Sequence, residues 1–133
     1  MRRSDFQKTI KKYEAQSVHY FENALKSIDA GDAEKASEFL WGSLAEALKA
    51  VAASKEIQIR SHKQLRNYAM ELAKVLQDDT IRHAFDYAQS LHSNFYESGL
   101  TLEEVAMGAE DVKVAVAKLL RLILEEKEGI RES

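Results

Sequence analysis

The run Ser98-Gly99-Leu100-Thr101-Leu102-Glu103-Glu104-Val105 holds a helix stop and a helix start side by side. Gly99 can take the left-handed backbone that closes a helix, and Thr101 with Glu104 three positions later has the spacing of a capping box. Downstream, Val105, Ala109, Val112, Val116, Leu119 and Ile123 recur at intervals of three and four. Upstream, Ile81, Phe85, Ala88, Leu91, His92 and Phe95 do the same behind the start signal Asp78-Asp79. Both stripes have the period of an amphipathic helix with one buried face. A connection this short makes its two helices neighbours and antiparallel.

The same grammar extends to the rest of the chain. Ser4 and Gln7 open a first helix striped with Phe6, Ile10, Tyr13, Phe21, Leu25 and Ile28, and Gly31 ends it. Asp32 caps a second helix that carries Ala36, Phe39, Leu40, Leu44, Ala47, Leu48 and Val51 and stops around Ser54. Its small residues Gly42, Ser43 and Ala45 leave room for a close neighbour. Ser61 and Gln64 open a third helix with Leu65, Tyr68, Ala69, Leu72 and Leu76. With no Pro and only five Gly in the 133 residues, the punctuation that strand-rich folds need is missing. The expected fold is all-α: one domain over residues 1–133, an antiparallel up-and-down bundle of about five helices, with residues 1–4 and 127–133 frayed.

Composition narrows the function classes. The absence of Cys removes disulfide frameworks, thiolate metal sites and thiol nucleophiles, which points to the cytoplasm. The most apolar stretch, Val105 to Leu124, is interrupted by Glu110, Asp111, Lys113, Lys118 and Arg121, so no membrane span is expected. A net charge of -3 argues against a surface built throughout for nucleic acid, while leaving room for a local basic patch. No dinucleotide or phosphate-loop glycine motif and no nucleophile elbow occurs. Asp79, His83 and Asp86 share a helix face, but acids in a first helical turn need no metal to explain them, and neither a metal nor a cofactor is expected.

If every connection is a simple reversal, the starts of helices one, three and five and the ends of helices two and four share one pole. That pole would collect Arg2, Arg3, Lys8, Lys11, Lys12, Lys49, Lys55, Arg60, His62, Lys63 and Arg66. The opposite pole would collect Asp29, Asp32, Glu34, Asp78, Asp79, Glu125 and Glu126. Two accounts of the basic cluster stand: an anion site beside helix N-termini, or cations that cover solvated faces and complement helix dipoles. On the first account the nucleotide- or anion-binding residues are Lys49, Arg60, His62, Lys63, Arg66 and His92. The run from Leu91 to Glu97 falls at the same pole and supplies His92, Asn94 and Tyr96 as catalytic candidates if the chain is an enzyme. Trp41, between Leu40 and Leu44, reads as core. Met107, Val114 and Leu122 lie off the main stripe of the last helix and are the candidate homodimer interface.

Three stretches carry a resemblance: Ala36-Ser37-Glu38-Phe39-Leu40-Trp41-Gly42 with Ala47-Leu48-Lys49-Ala50, then Ser61-His62-Lys63-Gln64-Leu65, then Leu91-His92-Ser93-Asn94-Phe95-Tyr96-Glu97. Together, over residues 17–120, they resemble the archaeal PaREP family of small helical proteins. More distantly, the Ala-Leu-Lys-Ala helix followed by a His and Leu opening the next one is similar to the HEPN (higher eukaryotes and prokaryotes nucleotide-binding) superfamily. That likeness implies a bundle, often dimeric, that binds nucleotide or RNA or partners a nucleotidyltransferase. In active ribonucleases of that superfamily an Arg is followed at a short fixed interval by a His. Here Arg82 stands too far before His92 and too close to His83. The leading expectation is therefore a non-catalytic module that binds a nucleotide, RNA or an acidic partner. The rivals are a metal-independent ribonuclease using His92 and a dimeric adaptor with no anion site.

Overall fold

The computed structural model describes the backbone of residues 3–132 and the side chains of residues 4–91 and 99–126. The described residues form five helices: α1 (Arg3–Asp29), α2 (Ala33–Ser54), α3 (His62–Leu76), α4 (Asp79–Ser98) and α5 (Leu102–Glu132). The expected all-α bundle is what the chain forms. Helix starts follow the cap chemistry of the sequence, with Asp32 accepting from the Lys35 N–H at 3.0 Å, Ser61 from Gln64 at 3.1 Å, Asp78 from Thr80 at 2.9 Å and Thr101 from Glu104 at 3.1 Å. Each bond satisfies a backbone donor that the first helical turn leaves open. Gly31 and Gly99 take the left-handed conformation after α1 and α4. After α2 and α3 the same conformation falls on Glu56 and Gln77, which carry side chains there at some cost.

α2 is the central helix. It touches α1, α3, α4 and α5, and Leu40, Leu44, Leu48 and Val51 are buried with alanines around the rest of its circumference, as a helix enclosed on most sides requires. Against α1 the approach is closest at the small residues. The Ser17 hydroxyl donates to the Ser43 carbonyl at 2.7 Å, and the Ser43 hydroxyl donates back to the Ser17 carbonyl at 2.8 Å. Beside them, a Cβ on Gly42 would meet the Tyr20 ring at 3.0 Å. Among the described residues, no helix is long and apolar enough to cross a membrane.

The sharing of poles is corrected by the structure. Residues 55–61 do not simply reverse the chain. After the Ile57 N–H closes α2 on the Ala52 carbonyl, they run back along α2 and bring His62 beside Trp41. Lys55 and Glu56 make the turn; Trp41 then lies about 17 Å back along the helix from Ala52, a distance that the five residues 57–61 can span at about 3.4 Å each. The later helices are consequently inverted relative to the simple count. Lys118 reaches Asp78 at 2.8 Å, the Tyr87 hydroxyl donates to the Glu104 carbonyl at 2.7 Å, and Lys55 faces Glu126 at 3.7 Å. The start of α4 and the end of α5 thus belong with the start of α1 and the end of α2. Asp78 and Glu126, expected at the far pole, meet the cations Lys118 and Lys55 instead, whereas Asp29, Asp32 and Glu34 stay at the turn between α1 and α2, so the expected electrical polarity is reduced. α1 already begins at Arg3 and α5 runs on to Glu132, beyond the point where its apolar stripe gives out.

Candidate functional site

The returning connection roofs a cleft. Ile59 packs against the core, and Arg60 is held in place twice: its backbone N–H donates to Gln64 Oε1 at 2.7 Å, and its guanidinium donates to Gln58 Oε1 at 2.5 Å. Beneath it, the α1 face carrying Lys12 and Tyr13 meets the α2 face carrying Lys49. Two compartments adjoin there and share Lys49, Ile59 and Arg60 as their common wall. The first, about 270 Å³, adds Lys12, Tyr13 and Ile57. The second, about 310 Å³, adds Trp41, Ala45, His62 and Leu65.

The electrostatics of the two differ. Lys49 is half-buried, with Nζ 3.5 Å from Glu46 Oε1 and 6.0 Å from the centroid of the Tyr13 ring. The other carboxylate oxygen of Glu46 is buried with no hydrogen-bond partner. Lys12 and Arg60 have no carboxylate within 4.0 Å among the described residues. Positive charge is therefore in excess where α1, α2 and the connection meet. The second compartment has an aromatic wall. The exposed His62 ring lies 5.4 Å from the Trp41 ring and 6.4 Å from that of Phe85, which meets Trp41 edge-on at 5.4 Å.

Of the candidate anion ligands, Lys49, Arg60 and His62 converge on this cleft. Lys63 and Arg66 stand exposed on α3 and line neither compartment. The side chains of His92, Asn94 and Tyr96 lie outside the described residues. The helix register puts His92 two turns beyond Phe85, about 10 Å farther along α4, and the inverted α4 takes this segment away from the pole where α1 begins. Asp79 faces Arg82 at 3.6 Å, and among the described residues no three metal-competent side chains converge. On α5, Met107 is 68% and Val114 46% exposed, whereas Leu122 packs against the core.

Sequence reasoning missed Tyr13 and Trp41 as site walls, because each is partly buried and packs against the core while also lining the cleft. The signal that could have exposed Tyr13 is its place next to Lys12, a cation that continues the stripe at its solvent border. A family model described as the Archaeal PaREP1/PaREP8 family matches residues 12–129. Comparison with curated proteins and with solved structures gives no match.

Proposed function

We propose that this chain, which belongs to the archaeal PaREP1/PaREP8 family, is a non-catalytic binding module that takes a phosphate-bearing ligand, a nucleotide or a segment of RNA, in the cleft under residues 57–60. One observation carries the reading: Lys12, Lys49 and Arg60 converge on one concave surface where, among the described residues, Glu46 is the one carboxylate within 4.0 Å of any of them. Clustered cations repel one another, and a cleft with low-dielectric walls focuses their field on an incoming anion. The Arg60 guanidinium, held by Gln58, presents a planar fork suited to phosphate oxygens. Among the described residues, His62 is the one histidine lining these compartments, and phosphodiester cleavage without a metal needs both an acid and a base in position. That favours binding over catalysis.

Calorimetric titration with a nucleotide panel and a short single-stranded RNA tests the reading. Saturable binding lost in the Lys12→Ala/Arg60→Ala double variant is expected. Binding that the double variant retains would place the site elsewhere.

A second reading concerns assembly. Met107 and Val114, one seven-residue step apart on α5, are both exposed, with Glu110 and Asp111 between them, and large apolar side chains paired on one face favour a homodimer there. Sedimentation of Val114→Glu is expected to show a monomer; an unchanged dimer would clear α5 of the role.

A further inference from the structure

We infer, resting on the phosphate-binding reading above, that the ligand is a nucleoside phosphate or an unpaired nucleotide of a single strand, with its base in the Trp41–His62 compartment and its phosphate among Lys12, Lys49 and Arg60. The argument is the division of one cleft into two chemically different halves. A site for inorganic phosphate or a general polyanion needs only the cationic half. Here that half opens, across the shared wall of Lys49, Ile59 and Arg60, onto a compartment of about 310 Å³ walled by Trp41, His62, Ala45 and Leu65. Flat, apolar-faced walls beside fixed cations suit a ligand that joins an aromatic ring to an anion. The volume lies at the small end of ligand pockets and suits a single ring system.

The His62 ring supplies the accessible stacking face. It is exposed on the cleft side and braced by Trp41 and Phe85, so its orientation is set before a ligand arrives. Preorganised aromatic surface of this kind binds any base by its face with little preference among sequences. The neighbouring Ser61 accepts from the Gln64 N–H in capping α3, and its O–H still has a hydrogen to donate beside the stacking face.

Trp41 is the sole tryptophan of the chain, so its emission reports the surroundings of this one lining residue. The experiment titrates the full chain with adenosine 5′-monophosphate, uridine 5′-monophosphate and pyrophosphate, following Trp41 fluorescence and, in parallel, heat. Expected are saturable changes in Trp41 emission with both nucleotides, affinity about tenfold above that of pyrophosphate, and displacement of the nucleotides by pyrophosphate. His62→Ala should bring nucleotide affinity down to the pyrophosphate value without altering pyrophosphate binding, and His62→Tyr should restore it. Equal binding of nucleotide and pyrophosphate with unchanged Trp41 emission would overturn the base compartment while leaving the phosphate site intact. Failure of all three ligands to bind would overturn both.

Discussion

Replacing Gly108 with Ala should destabilise the protein, and the same replacement should stabilise it once Tyr87 is cut back to Ala. Gly108 is a buried residue of α5, and a Cβ built on it would stand 1.9 Å from Tyr87 Cε1, 2.6 Å from Cζ and 2.8 Å from the hydroxyl oxygen. No contact that close is tolerated, so the Tyr87 ring must leave its seat and give up its 2.7 Å hydrogen bond to the Glu104 carbonyl. Overpacking of this kind costs about 1–3 kcal/mol, and the lost hydrogen bond adds about 1 kcal/mol. The gain in helix propensity from Gly to Ala offsets about 1 kcal/mol. The net is a loss of about 1–3 kcal/mol in the native background and, with the ring removed, a gain approaching 1 kcal/mol. Urea denaturation of the four proteins of the cycle measures both. A Gly108→Ala effect equal in the two backgrounds to within about 0.5 kcal/mol would refute the steric account of how α4 is seated on α5.

Further perturbations address other joints. The Lys118 ammonium, with help from Thr80, holds the Asp78 carboxyl down at about 2. A depressed carboxyl stabilises above its unfolded value near roughly 4 and loses that contribution as the pH falls toward 2. Lys118→Met should therefore be less stable than the native chain at pH 6 in denaturant titrations, and the two should converge in acid. Gln77→Gly places a glycine where the backbone has φ of 52° and should add about 0.5–1 kcal/mol, seen as a higher thermal midpoint. Ser43→Ala should cost about 1 kcal/mol through its hydrogen bond to Ser17, whereas Ser43→Leu should cost about 3 kcal/mol by wedging α1 from α2; equal effects in calorimetric melting would argue against the close approach.

The extent of what was readable from sequence differs between fold and site for physical reasons. Caps and periodicity are local, so Asp32, Ser61, Asp78 and Thr101 mark helix starts without any knowledge of the neighbours. Gly42 and Ser43 likewise announced a close helix contact. The path of residues 55–61 was not legible, because a polar segment of that length serves equally as a loose reversal or as an extended strap. Choosing the reversal placed the later helices the wrong way up, joined His92 to the basic pole and separated Asp78 and Glu126 from the cations they meet. Lys49, Arg60 and His62 still converge because the strap itself carries Arg60 onto α2. Tyr13 and Trp41 stayed hidden because a residue that is half core and half wall has the periodicity of core alone. On α5, Leu122 packs against the core, because at about 100° per residue it lies nearer the stripe of Leu119 and Ile123 than Met107 and Val114 do.

The salt dependence of binding to a short single-stranded RNA tests the central claim most directly, because each cation that meets a phosphate releases counterions. With Lys12, Lys49 and Arg60 engaged, the plot of log affinity against log salt should have a slope of about -2, and affinity should fall about 20-fold between 50 and 200 mM salt. Arg60→Ala should flatten the slope to about -1.4. A flat line for the native chain, or a slope that the loss of Arg60 leaves unchanged, would contradict the assignment of this cleft as the phosphate site.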